Sequence, residues 1–203
     1  MVQKEARARG RPRSFDADEV LDKARSVFWN LGYAAASLDD IALATGLKRP
    51  SLYAAFGDKH ALYMAALTRT RTRAVAAMAA MVGREGALRA VLVDLFEAVI
   101  GAYVEGEIGQ RGCFIIGTAV TQAVEDPQAR ALATAFVADE DALFRERFAH
   151  SASELAPGLT ADAAAMVATA ALHTLAIRAR LGEPREALAQ VAAAAIGAIC
   201  GPA

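Results

Sequence analysis

The chain has 203 residues, 55% of them hydrophobic, 22% charged and 6% aromatic, with a formal net charge of −1. This composition excludes intrinsic disorder, which needs low hydrophobicity and high net charge, and it allows one large domain or two small ones around a real core. Two cysteines, Cys113 and Cys200, cannot build a disulfide framework and point to a reducing compartment.

The near-neutral total hides an asymmetry. Residues 1–73 carry 13 Lys/Arg against 8 Asp/Glu, or +5, and residues 74–203 carry 9 against 15, or −6. The opening segment is the most basic: Lys4, Arg7, Arg9, Arg11 and Arg13 face Glu5 alone. A basic head on an acidic body suggests a polyanionic partner, against the plainer alternative of a solvated tail. No apolar run follows the charged N-terminus, so no secretory signal is expected. The uncharged stretch Ala187–Ala203 falls short of the roughly 18 apolar residues of a membrane span. A soluble cytoplasmic protein with no membrane partner is the expectation.

Helical periodicity is nearly continuous, and no alternating strand pattern appears. Val20, Leu21, Ala24, Val27, Phe28 and Leu31 share a helix face that Gly32 should end. Ser37 precedes a short helix over 38–45, with Asp39 and Asp40 favourably placed at its positive end, and Gly46 breaks it. A second short helix is predicted over 49–56, with Pro50 near its first position. Asp58 should cap a longer helix reaching Val82. Leu88, Val91, Leu92, Leu95, Phe96, Val99, Ile100 and Tyr103 form the clearest amphipathic stripe in the chain. Gly106–Gly112 reads as a loop, and an apolar helix is expected from about Cys113 to Val124. Further helices are predicted over about 128–149, 160–181 and 184–199, giving an all-α fold of about nine helices. Leu188, Val191, Ala195, Ile196 and Ile199 form a stripe on the last helix, which fits either an intrachain bundle or a subunit interface. On the interface reading, a polar substitution of Ile196 should yield monomers.

Residues 38–56 have the spacing of a helix-turn-helix: Ile41 and Ala42 in the first helix, Gly46 at the sharp turn, Leu47 at the corner and Leu52 anchoring the second helix. That second helix opens Lys48-Arg49-Pro50-Ser51, two cations and a hydroxyl where a recognition helix meets base edges in the major groove. Backbone N–H groups near Ser37 suit a phosphate, as do the Tyr53 hydroxyl and the Lys59 ammonium.

The set Gly32-Tyr33, Ser37-Leu38-Asp39-Asp40-Ile41-Ala42, Gly46-Leu47, Ser51-Leu52-Tyr53, Phe56, Lys59 and Leu62, behind the leader Gly10-Arg11-Pro12-Arg13, resembles the N-terminal domain of TetR/AcrR-type transcriptional regulators. The motif covers about residues 10–67. Beyond it the likeness rests on helix count, length and the Arg111-Gly112-Cys113-Phe114 start of a mid-chain helix. The resemblance implies a homodimeric repressor with a C-terminal ligand-sensing domain, its last two helices forming a four-helix dimer interface. It also implies a DNA-binding set of Arg11, Arg13, Ser37, Lys48, Arg49, Pro50, Ser51, Tyr53 and Lys59, and a division into a basic arm (1–13), a DNA-binding head (14–57) and a body (58–203) joined by a linking helix (58–82). Two positions depart from the family: Lys48 stands where a capping Ser or Asn is common, and His60 where an acid is common; His60 reads as a surface substitution.

No His/Cys cluster has metal-ligand spacing, and neither a nucleophile elbow nor a phosphate loop occurs, so no enzyme, metal or cofactor is expected. The partners expected are double-stranded DNA with a palindromic operator, an unidentified small-molecule effector and a second copy of the chain. Tyr103, Cys113, Phe114, Thr118, Thr121, Gln122, Phe136 and His173 combine aromatic area with isolated polar atoms on apolar helices, which suits the lining of a pocket for a small, largely apolar ligand. Cys113 follows Arg111 near a helix N-terminus, two influences that lower a thiol pKa. A thiol-based redox or electrophile sensor is therefore one alternative, with packing of a small apolar residue as the plainer one. A non-specific architectural DNA binder and an α-helical enzyme are the remaining rivals.

Overall fold

A computed structural model describes residues 15–105 and 111–201. Arg11, Arg13 and the rest of the basic arm lie outside the described residues, as do positions 106–110 of the expected loop. Among the described residues the fold is all-α, with nine α-helices and no strand: α1 (Ala17–Ala35), α2 (Leu38–Thr45), α3 (Arg49–Phe56), α4 (Lys59–Val82), α5 (Leu88–Val104), α6 (Val120–Gln122), α7 (Pro127–His150), α8 (Ala161–Arg180) and α9 (Arg185–Cys200).

Local chemistry sets most boundaries. Asp16, Ser37, Asp58, Asp126 and Thr160 each accept a backbone N–H at the start of α1, α2, α4, α7 and α8, the standard way of satisfying the free donors of a helix's first turn. Gly32, with φ +77°, kinks α1 rather than ending it, and the helix runs one more turn to Ala35. The apolar helix expected from Cys113 is not regular. Ile115–Ala119 is wound as a π-helix before the short α6. The Thr118 hydroxyl donates to the Phe114 carbonyl (2.8 Å), and that of Thr121 donates to the Thr118 carbonyl (2.8 Å), so side chains compete with amides for the acceptors of a regular turn.

The apolar side chains form two clusters. One joins α5, α8 and α9 to the distal half of α4 and to Phe144 and Phe148 of α7. The other holds Val20, Ala24 and Phe28 of α1, Ile41 of α2 and Leu52 of α3, and it continues into Leu62, Tyr63, Ala66 and Leu67 of α4 and Phe114, Ile115, Leu132 and Phe136 beyond. Head and body therefore share one core across residue 58. Phe114 and Phe136 therefore belong to the same close-packed cluster as Val20, Ala24 and Phe28 of α1.

Most of the α9 stripe is spent within the chain. Leu188, Ile196 and Ile199 are buried in the chain's own core against α5 and α8, with Val191 and Ala195 packed beside them. The physical reason is simple: a 3.6-residue repeat says that a face is buried, not which chain buries it. The exposed apolar side chains of this region are Met166, Val167, Ile177 and Leu181, all on or just after α8.

Asp126 is a junction between head and body. Its carboxylate accepts from the backbone N–H of Gln128 and Ala129, at 2.9 and 3.1 Å, and lies 2.8 Å from His60 Nε2 at the start of α4. His60 thus holds the head-proximal end of α4 to α7 and is more than a surface substitution. Asp126→Ala is expected to cost about 1–2 kcal/mol in chemical denaturation, the value of a helix N-cap, with Asp126→Asn keeping most of the cap. Equal losses for the two variants would place the effect in the His60 contact instead.

Candidate nucleic-acid interface and the cavity behind it

The first turn of α3 is built to be presented. Leu52 is buried to 1% exposure and anchors the helix, while Lys48, Arg49, Pro50 and Ser51 are all exposed and Tyr53 is 52% exposed. Gly46 makes the turn between α2 and α3 in the left-handed region, φ +71°. Pro50 supplies a preset φ in the first turn, and Lys48 occupies the N-cap position with no side-chain hydrogen bond, leaving its ammonium free to project.

Sequence reading missed a partner for Arg49: its guanidinium is paired with Asp39 in the first turn of α2. Both side chains are more than half exposed. A pair of that kind contributes roughly 0–1 kcal/mol, less than the roughly 1–3 kcal/mol of a bidentate arginine–guanine contact. The ion pair is therefore weak enough to be exchanged for a stronger contact.

Ser37 and Lys59 are occupied locally. Ser37 and Asp40 form a reciprocal capping box: the Ser37 backbone N–H and hydroxyl donate to the Asp40 carboxylate at 2.9 and 2.6 Å, and the Asp40 N–H donates back to the Ser37 hydroxyl at 3.1 Å. Hydrogen bonds from Ser37 hold the Asp40 carboxyl below its ordinary value. The Lys59 ammonium donates to the Ala36 carbonyl (2.8 Å) and sits 4.5 Å from the centroid of the Tyr33 ring. It ties α4 to the end of α1.

Behind the head lies a cavity of about 500 Å³ between α1, α4, α5, α7 and α8. Of the eight pocket residues expected, Tyr103, Cys113, Phe114 and Phe136 line it. The other four do not. Thr118 is buried and accepts from the Tyr63 hydroxyl at 3.0 Å, Thr121 is exposed, and Gln122 lies on α6. His173 reaches the cavity only through Glu140, whose carboxylate is 2.7 Å from His173 Nε2. Glu140 itself lines the cavity, is 4% exposed and was missed by sequence reasoning. Burial raises its pKa, with the His173 hydrogen bond acting in the opposite sense.

Cys113 does not show the lowered thiol pKa that Arg111 and a helix start would give. Burial pushes its thiol up to about 11, and Tyr103 beside it is raised well above the ordinary phenol value by the same cause. Arg111 does not offset this because its guanidinium turns away to Trp29, 5.2 Å from the ring centroid. A thiol raised in this way is a weak nucleophile at neutral pH, which favours the plainer reading of Cys113 as a packing residue.

Trp29 lines the cavity and knits three segments together. Its indole N–H donates to the Arg111 carbonyl at 3.0 Å, and the Arg180 guanidinium of α8 donates to the Trp29 carbonyl at 3.1 Å. Among the described residues no cluster of three or more His, Cys, Asp or Glu could hold a metal, and no helix is long and apolar enough to cross a membrane.

Residues 20–66 match the family model described as "Bacterial regulatory proteins, tetR family". The chain is 40% identical over 116 residues to the HTH-type transcriptional repressor ComR of Escherichia coli K12, a match covering 57% of this chain and 55% of that one. It is 31% identical over 119 residues to the regulator YezE of Bacillus subtilis 168, covering 59% and 61%. The matches thus span less than two thirds of either relative. Over nearly the whole chain the fold superposes on the regulator CifR in complex with 26-bp double-strand operator DNA, with a TM-score of 0.81, 30% identity and coverage of 93% of this chain and 99% of that one.

Proposed function

The chain belongs to the TetR family of bacterial regulatory proteins, and we propose that it is a homodimeric, sequence-specific repressor released from a palindromic operator by a small molecule bound in its body. The observation that carries the DNA-binding reading is the fully presented first turn of α3, with Lys48, Arg49, Ser51 and Tyr53 outward and Leu52 inward. The similarity to ComR, a named repressor, and to an operator-bound CifR supports it.

Two heads related by a two-fold axis would enter successive major grooves about 34–36 Å apart. Arg49 is assigned to base edges, Tyr53, Lys48 and Ser51 to the sugar-phosphate rim or adjacent bases, and the arm with Arg11 and Arg13 to phosphates or the minor groove. Such contacts make affinity fall steeply with salt. The protein acts where the operator is, in the cytoplasm, and no catalysis is assigned to it.

The second copy is assigned to the outer face of α8 and α9. Met166, Val167 and Ile177 on α8 are exposed, and exposed Ala193, Ala194 and Ala198 on α9 allow close helix approach. A ligand in the cavity touches α1 through Trp29 and α4 through Met78, and Asp126 joins α7 to the start of α4. Head separation is therefore the variable that a ligand would set, by the difference in its affinity for the two head arrangements.

Arg49→Ala is expected to weaken operator binding about 10- to 100-fold while leaving helicity and oligomeric state unchanged. Electrophoretic mobility shifts on operators selected from random duplexes, with a scrambled duplex as control, read this directly. Undiminished discrimination in the variant would remove Arg49 as a base reader. Equal affinity of the wild type for selected and scrambled DNA would favour the architectural binder.

A further inference from the structure

The cavity holds a charge imbalance that its own residues leave open. Its wall carries two carboxylates, and both are already committed: Glu140 to His173 and Glu105 to Arg185. It also carries two guanidiniums, Arg25 on α1 and Arg111 four residues before the π-helix, and among the described residues neither has an oxygen partner for its side chain. They lie 5.4 and 5.2 Å from the centroid of the Trp29 ring. Arg25 Nε is fully buried and makes no hydrogen bond. Asp22, three residues before Arg25 on α1, attracts the Arg25 charge but gives its hydrogen bonds to Arg69 (3.4 Å) and Arg73 (3.2 Å). Burial lowers the pKa of both guanidiniums, and for Arg111 the charge of Arg25 adds to the effect.

A half-buried guanidinium with no acceptor is costly, and two near each other are more so. Among the described residues, the other arginines that lack an acidic partner, Arg89, Arg130, Arg147 and Arg180, all donate to backbone carbonyls. The rest of the cavity wall is apolar: Met78, Met81, Leu95, Val99, Phe136 and Leu172.

We propose that this cavity binds an organic acid, its carboxylate held at the mouth between Arg25 and Arg111 beside Trp29 and its hydrocarbon body laid along Met78, Leu95 and Phe136. The carboxylate supplies the acceptor that both guanidiniums lack, in the planar geometry that arginine forks recognise. An organic cation is disfavoured because the buried acid of the wall, Glu140, already has His173. Such an acid would be the effector of the preceding reading, and only its regulatory consequence rests on that reading.

Trp29 is the only tryptophan of the chain, so its fluorescence reports occupancy of this site in the full-length protein. Octanoate and 4-phenylbutyrate are titrated against octanamide, 4-phenylbutanamide and octylamine at constant ionic strength. The acids are expected to change Trp29 emission with affinity about 10- to 100-fold above that of their amides, the value of charge-assisted hydrogen bonds. Arg25→Gln and Arg111→Gln should each narrow that ratio, and Arg25→Lys should retain part of it. Amides that bind as well as the acids, a preference for the amine, no response to either acid, or an unchanged ratio in both glutamine variants would each overturn the assignment. DNA release is read separately, by fluorescence anisotropy of a labelled operator. An acid that binds at Trp29 without releasing DNA sinks the ligand-responsive reading and leaves the anion site standing.

Discussion

Gly112→Ala is expected to lower stability by about 3 kcal/mol or more and to lose the cavity with it. Gly112 has φ +64°, a left-handed conformation that any side chain strains, and a Cβ there would run into the Ala176 carbonyl oxygen and come within 2.9 Å of its carbon. Both obstacles are backbone atoms of a packed helix, so nothing flexible can give way. Because Arg111, Gly112 and Cys113 form one wall of the cavity and the Arg111 carbonyl holds the Trp29 indole, the substitution should shift Trp29 emission as well as the denaturation midpoint. Gly46→Ala separates the two causes. Gly46 has a similar φ of +71°, but nothing lies within 4 Å of where its Cβ would stand, so only the conformational cost of roughly 1 kcal/mol applies. Equal losses at the two positions would show that the close approach of α8 contributes nothing.

The elements that sequence predicted most closely are those fixed by local chemistry. Ser37 and Asp40 cap α2, Gly46 turns it, and Pro50 opens α3, so the helix-turn-helix bounds follow from residues within four positions of one another. What sequence could not rank was competition between distant groups. Arg111 sits two residues from Cys113, yet it stacks on Trp29, and burial outweighs the backbone hydrogen bonds that would lower the thiol. Glu140 lies in the acidic run Asp139-Glu140-Asp141, which reads as a solvated face. Its spacing of four from Phe136 and Phe144, with Phe148 four further on, places it on the buried stripe and was the signal available. Arg25 and Trp29 show the same four-residue step on α1, but only the fold brings Arg111 to the same ring. The α9 stripe is a related case. Large apolar residues on α9 were claimed by α5 and α8, leaving alanines and the outer side chains of α8 for any partner.

That distinction sets the second large effect. Met166→Glu combined with Ile177→Glu is expected to give folded monomers in analytical ultracentrifugation, with wild-type helicity and Trp29 emission. The two residues are 60% and 53% exposed in the single chain, so charging them costs the monomer little, whereas a symmetric interface would bury four like charges at once. Operator affinity should fall about 10²- to 10⁴-fold, because the second head then binds as a separate molecule rather than at the high effective concentration set by the first. Ile196→Asn is the contrasting case. At 4% exposure within the core of α5, α8 and α9, it places an unsatisfied amide where an alkyl group packed, at a cost of roughly 2–5 kcal/mol, and it should lower the denaturation midpoint before it changes the oligomeric state. A stable, folded monomer from Ile196→Asn beside an intact dimer from the double glutamate variant would return the interface to the inner stripe of α9 and require α9 to swing away from α5 on assembly.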